Sequence, residues 1–423
     1  MSKFIFEDYH FDSTTKVAEF RYRSHTGIEF AETVTFNTVG DYDEELLDQA
    51  LFLSFMLVGT SYYKLFPGAA VELQTGALDE AQAAFFNRVY QEGMSQYAYE
   101  NNLTRDDLAH FAVTTTEQPR PSSYDGSGVV ALQSGGKDSL LTASLLRRHD
   151  RPFTGWYVTN SPFHPNVLDT LGAPLSVATR QIDLAALKTG ATQGGLNGHV
   201  PVTYIVASFA LIEAILTGNN TVLLSIGHEG EEPHGWVGDL PVNHQWSKTW
   251  PAEQAFVDYV ERYISPDFRI GSPLRGFSEL KIAELFVQNA WADFGHRFSS
   301  CNRANYEQGS DNTTLCWCGE CPKCANSFLL FAPFLPVSEL RSIFGGQDLF
   351  EKPLLQATFK GLLGIDGVMK PFECVGEIDE LRLAYHKAQA RGEYGSLSFD
   401  VPLPTFDYEQ IYPHQEWART VLQ

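Results

Sequence analysis

Val129-Val130-Ala131-Leu132-Gln133-Ser134-Gly135-Gly136-Lys137-Asp138-Ser139-Leu140-Leu141 decides how this chain is read. A short apolar run of β type ends in two glycines, and a helix-type run from Leu140 to Arg148 follows at once. A strand that turns through glycines into a helix presents N–H groups with no intrahelical partner at the positive end of the helix dipole. That arrangement is an anion site. The glycines let the backbone approach a phosphate closely. Lys137 adds a point charge, and Ser134 and Ser139 add hydroxyl donors. Asp138 can cap the helix or hold Mg²⁺. The spacing is not that of a Walker loop, G-x-x-x-x-G-K-[ST].

The hexapeptide Ser134-Gly135-Gly136-Lys137-Asp138-Ser139 resembles the S-G-G-x-D-S loop of the PP-loop ATP pyrophosphatases. The resemblance implies ATP bound by these six residues, cleavage between the α and β phosphates, and adenylation of a substrate oxygen, with Mg²⁺ as cofactor. Outward from the loop, apolar strand candidates recur at 153–158, 175–182 and 221–226, with a helical pattern at 202–216. Alternating β and α at this spacing predicts an α/β fold with a central doubly wound parallel sheet. The loop resemblance makes that sheet the PP-loop (adenine nucleotide alpha hydrolase-like) type. Ligands of such sheets sit at the strand C-terminal ends. Thr159, Asn160 and Asp183 follow strands there and are nucleotide-pocket candidates, although turns and caps use the same residue types.

Three regions are expected: an N-terminal α/β domain (1–120), an ATP-binding domain (121–300) and a Cys-rich helical region (301–423). In the first, 4–9, 17–22 and 28–36 alternate as half-buried strands do, and 44–65 and 79–90 read as amphipathic helices. Residues 114–128, rich in Thr, Pro, Ser and Gly, read as a linker. The tyrosine-rich stretches 59–64 and 96–103 offer stacking surface for a nucleotide or sugar, but ordinary packing explains them more simply. His228 and Glu229 could be ligands or an acid/base pair, or simply a solvated loop. Ser278 is placed to cap a helix over 280–286.

Five of the six cysteines fall between 301 and 324. Cys318, Cys321 and Cys324 sit three apart on tight turns, and Cys301 can supply a fourth thiolate. Such a set suits a closed structural Zn²⁺, with Cys316 as the alternative fourth ligand and an iron–sulfur cluster as the alternative occupant. Arg303 and Lys323 put cations beside the cluster. The C-G-x-C-x-x-C pattern also resembles the tail of the queuosine-precursor synthases, where the four-Cys zinc site is structural. Cys374 stands apart, either as an acid/base thiol or as a small core residue.

The formal charge is −22, from 30 basic and 52 acidic residues. Nucleic acid is therefore not the expected partner, since phosphate backbones need a basic face. Clustered cysteines suit a reducing compartment, the longest apolar stretch is too short and too interrupted for membrane insertion, and a cytoplasmic location is expected.

Several motifs taken together resemble the MurL-type UDP-N-acetylmuramoyl-L-alanyl-L-glutamate epimerases of peptidoglycan synthesis. They are Gly59–Lys64, Tyr97–Asn101, the 134–139 loop, Val242–Gln245 through Lys248, Cys301-Asn302-Arg303, Trp317–Cys324 and Pro371–Gly376. One departure is Ser134, where the family is expected to carry glycine. The resemblance implies a UDP-muramoyl dipeptide substrate and ATP-dependent inversion of its terminal L-Glu through an acyl-adenylate. Lys137, Asp138, Cys374 and His244 are the catalytic candidates, and Arg303, Lys248 and Asn243 the substrate-binding ones. The competing expectations are another adenylating ligase, of the queuosine-precursor synthase kind, and a non-catalytic ATP sensor.

Overall fold

The computed structural model describes residues 2–117, 120–161, 163–305 and 313–420. Its centre is a nine-stranded sheet in the order β11-β8-β5-β6-β7-β3-β2-β1-β4. The parallel half comprises β5 (Val129–Leu132), β6 (Thr154–Thr159), β7 (Leu175–Gln181), β8 (Thr221–Leu223) and β11 (Arg269–Gly271). From β5 the chain winds outward through β6 and β7, then returns to lay β8 and β11 on the other side. The winding therefore reverses between β5 and β8, and the crevice at their carboxyl ends is where such sheets bind ligands.

The N-terminal strands β1 (Lys3–Asp12), β2 (Val17–Ser24) and β3 (Glu29–Thr35) form an antiparallel meander, and β4 (Ala70–Leu73) pairs with β1 in parallel. This meander is part of the same sheet, because β3 pairs antiparallel with β7, Thr33 opposite Gln181. The regions expected over 1–120 and 121–300 thus share one sheet and the core on one of its faces.

Side-chain alternation along the strands divides the interior in two. Val130, Trp156 and Val222 face one core, with Phe4, Phe20, Phe55 and the helices Glu44–Val58, Val202–Leu216 and Trp250–Tyr263. Their chain neighbours Ala131, Tyr157 and Leu223 face the other, built from the helices Lys137–Arg148, Glu279–Asn289, Pro322–Phe331 and Ile378–Ala390. The C-terminal region is joined directly to this second layer, for Glu380 Oε1 accepts the Leu280 amide at 2.7 Å. No helix among the described residues is long and apolar enough to cross a membrane.

The expected 44–65 helix is interrupted at Gly59, between the Glu44–Val58 and Thr60–Tyr63 helices. The residue at the break is glycine because two elements approach closely there. A Cβ at Gly59 would lie 2.5 Å from the Phe6 ring and 2.7 Å from the Tyr90 hydroxyl. The tyrosine-rich stretches mostly pack, as the simpler reading held. Tyr62, Tyr63 and Tyr97 are buried, with the Tyr62 hydroxyl donating to Glu32 at 2.8 Å and that of Tyr97 to the Lys64 carbonyl at 2.6 Å. A short hairpin, β9 (Gly235–Val237) with β10 (Leu240–Val242), was not foreseen.

Candidate active site

At the end of β5 the chain turns through Gly135 at φ +78°, a left-handed conformation suited to glycine, and enters the Lys137–Arg148 helix behind an extended Gly136. No side chain caps this helix. Ser134 and Ser139 instead brace the loop. The Ser139 hydroxyl accepts the Ser134 amide at 3.2 Å, and the Ser134 hydroxyl accepts the Gly136 amide at 3.3 Å. Uncapped amides at the positive end of a buried helix suit an anion.

Lys137 does not reach into solvent. Its ammonium donates to Asp138 at 2.5 Å and to Glu279 at 2.6 Å. Asp138 is thus an ion-pair partner here rather than a helix cap. Burial works against the charge on Lys137, but Asp138 and Glu279 outweigh it and hold the ammonium protonated. Glu279 is pushed up to about 7, first by burial and then by Asp138 and Glu229, against the pull of Lys137. Its Oε1 is buried with no hydrogen-bond partner among the described residues. The chain places Glu279 here because Ser278 caps its helix, accepting the Lys281 amide at 3.2 Å, as expected. Sequence reading took Glu279 as an ordinary helix start, and nothing local marks it as the partner of a lysine 142 residues away.

A second pair lies beside the first. Lys248 donates to both oxygens of Glu229 at 3.4 Å. Burial opposes the Lys248 charge, but Cys374, Glu229, Asp138 and Glu279 surround it and raise its pKa. Glu229, though buried, is held below the usual carboxylate range by Lys248, Lys137, Arg275 and Lys323. Four cations of a chain with net charge −22 thus act on this one carboxylate. Glu229 is a buried ion-pair member, not a solvated loop residue. His228 is lowered to about 4 by burial and by Arg275, and its ring stacks on Tyr412 at 3.4 Å.

Arg275, which sequence reading passed over, fixes this geometry. Fully buried, it pairs with Glu253 and donates to the carbonyls of Gly227 at 2.7 Å and Lys248 at 3.0 Å. It thereby ties the segment carrying Glu229 to the one carrying Lys248. Asn243 has a similar bracing part. Its Nδ2 donates to the Gly230 carbonyl at 2.6 Å and its Oδ1 accepts the Gln245 amide at 2.8 Å, so each end already holds one contact within the loop. Gln245 in turn donates to the Val375 carbonyl at 3.0 Å, which holds Cys374 against this loop.

His244, on the same segment, is half-buried against His199, ring centroids 4.5 Å apart. It is lowered to about 3 by burial, then by Lys323 and Lys248. Lys248 therefore acts on both His244 and Cys374. Thr159 and Asn160 lie on the carboxyl edge of β6, but the Thr159 hydroxyl serves its own turn, accepting the Ser161 amide at 3.0 Å. Asp183 caps a helix, accepting the Ala186 amide at 2.9 Å.

The sulfurs of Cys301, Cys318, Cys321 and Cys324 all lie within 4.8 Å of one another. The closest separations are 3.5 Å (Cys321–Cys324), 3.6 Å (Cys301–Cys321) and 3.7 Å (Cys318–Cys324). Four thiolates about 2.3 Å from one tetrahedral ion would stand about 3.8 Å apart, so the set fits a single ion. Amides of Ala304 and Gly319 point at Cys301 and Cys324, as donors to thiolates do. Cys316 is exposed and outside the group. Arg303 pairs with Glu320 at 3.5 Å beside the cluster. The cluster is tied to the 371–376 segment, because Asn302 donates to Glu373 at 3.2 Å and Asn326 accepts the Gly376 amide at 3.0 Å.

Two family models match this chain along most of its length. The family model described as the MurL N-terminal domain matches residues 1–272, and the MurL C-terminal domain matches 297–399. A UDP-N-acetyl-alpha-D-muramoyl-L-alanyl-L-glutamate epimerase of Xanthomonas oryzae pv. oryzae is 33% identical over 400 residues, 93% of this chain and 87% of that protein. Proteins of the same name from Salinispora tropica and a Micromonospora species are each 34% identical, over 90% of this chain and 83% and 85% of their own lengths.

Proposed function

This chain belongs to the MurL family, and from that premise we propose that it inverts the terminal L-Glu of UDP-MurNAc-L-Ala-L-Glu to D-Glu at the expense of ATP. The observation that carries the reading is the meeting of Lys137, Glu279, Glu229, Lys248 and Cys374 at the crevice between β5 and β8.

A carboxylate is a poor electron sink, so the neighbouring Cα–H is barely acidic. In the proposed reaction a carboxylate oxygen of the substrate attacks the α-phosphorus of ATP and pyrophosphate leaves. The PP-loop at 134–139 would receive the phosphates on its uncapped amides, and Lys137 would exchange its carboxylate partners for them. Asp138 is the side chain placed to hold Mg²⁺, which would neutralise charge on the leaving group. The adenylated carboxyl has lost its negative charge, and its Cα proton becomes removable by a base on one face. A proton returned from the other face inverts the centre. Cys374 and His244 are the pair of groups proposed for these transfers, both within the field of Lys248. Hydrolysis of the acyl-adenylate gives AMP and the free acid. The four-cysteine group would hold a structural Zn²⁺ with no part in the chemistry.

The test follows AMP, pyrophosphate and solvent deuterium together. With UDP-MurNAc-L-Ala-L-Glu and ATP, the expected outcome is release of both products with deuterium at the glutamate Cα, and loss of deuterium uptake in Cys374→Ala. AMP without deuterium would mark a ligase, and ATP binding without turnover of any acyl substrate would mark a sensor.

A further inference from the structure

His244 has a neighbour that settles which of its nitrogens is free. On the short helix Ser95–Glu100, Gln96 and Glu100 stand one turn apart, and the Gln96 Nε2 amide donates to Glu100 Oε1 at 2.8 Å. That bond turns the Gln96 Oε1 toward His244 Nδ1, 2.6 Å away. An amide oxygen can only accept, so Nδ1 must carry the hydrogen. The reversed amide would set its oxygen against the Glu100 carboxylate, acceptor facing acceptor. With Nδ1 protonated, a neutral imidazole keeps its lone pair on Nε2, which has no hydrogen bond among the described residues. The same helix also fixes the backbone beside the ring, since Ser95 Oγ accepts the Asn243 amide at 3.1 Å.

We infer that Gln96, oriented by Glu100, is a positioning residue that locks His244 in the Nδ1–H tautomer and leaves Nε2 as the proton acceptor. The inference rests on the proposed use of His244 at the substrate Cα. In that step Nε2 takes the Cα proton, the C–H electron pair passes into the adenylated carboxyl, and the positive charge appears on the imidazolium. The groups that bear on its charge are Lys248, Lys323 and Glu100, with the His199 and His234 rings against it. Burial and the two lysines keep the free imidazole neutral. An anionic substrate lying between those lysines would offset their charge and strengthen the base when it is needed.

The test uses ¹⁵N-histidine-labelled full-length protein, with the His244 signals assigned by their loss in His244→Gln. The expected spectrum shows a protonated Nδ1 and a bare Nε2. Gln96→Ala should abolish that single tautomer and lower the ratio of Cα deuterium uptake to AMP release by about tenfold or more. Gln96→Glu keeps the size and an acceptor but adds charge, and should move the acid limb of deuterium uptake upward by about one pH unit. A wild-type Nε2–H tautomer would overturn the inference, as would Gln96→Ala with tautomer and ratio unchanged. A wild-type protein that releases no AMP would instead count against the proposed reaction while the tautomer readout stood.

Discussion

Replacing Lys137 with Met should leave a folded protein at neutral pH and one that weakens steadily above it. Removing one member of a buried ion pair is expected to cost about 3–5 kcal/mol, because the other charge is stranded. Glu279 has an escape, since it can take up a proton. Its ordinary value is 4.5 and in this site it already stands at about 7. The wild-type fold at pH 7 therefore already bears most of the cost of that shift, about 3 kcal/mol at about 1.4 kcal/mol per unit. Full protonation at pH 7 costs only a few tenths more. The sign follows from the raised value: the native state binds more protons than the unfolded chain, so stability falls as pH rises from 4.5. In the wild type the fall levels off above pH 7, where Glu279 ionises against Lys137. In Lys137→Met the ammonium bonded to Glu279 is gone and Lys248 stays paired with Glu229, so the fall continues at about 1.4 kcal/mol per unit. By pH 9 the variant should be about 3 kcal/mol less stable than the wild type, against less than about 1 kcal/mol at pH 7. Denaturant titrations at pH 6, 7, 8 and 9 measure this, and AMP release at pH 7 should be lost. Parallel pH dependences for the two proteins would refute the account of Glu279, and retained AMP release would refute the role of the loop.

The cysteine geometry predicts an asymmetry between two neighbours. Cys316→Ser should keep about one metal ion per chain by mass spectrometry and Cys301→Ser should lose it. The reverse pattern would show that the wrong thiol has been assigned. Gly59→Ala should destabilise by about 1–3 kcal/mol through the contact with Phe6 and Tyr90, and an unchanged denaturation midpoint would mean that the aromatic core yields there without cost.

Much of this was legible because the decisive signals are local. A strand, two glycines and a helix are contiguous at 129–148, a capping serine stands one residue before its helix at 279, and three cysteines repeat at intervals of three. What stayed hidden is pairing across distance. Glu279 meets Lys137 only because the Lys137–Arg148 and Glu279–Asn289 helices pack together, and Arg275 looks like any surface arginine until Glu253 and two carbonyls enclose it. The stretch 96–103 was read for its tyrosines, yet Tyr97 packs inward and Gln96 reaches His244. Asn243, expected at the substrate, also braces the loop, a contact that nothing in its local sequence announces. The joining of β3 to β7 leaves no trace in either strand, since an edge residue and a paired one alternate alike.

That junction sets a condition on how the chain is made. Thr33 must wait on the ribosome for Gln181, 148 residues later. At about 5–20 residues per second the wait is about 7–30 s. Throughout it the emerging meander offers an unsatisfied row of amides and carbonyls to any passing strand. Strong expression should therefore reward slow synthesis or a holding chaperone, and fragments cut near residue 120 should precipitate rather than dock.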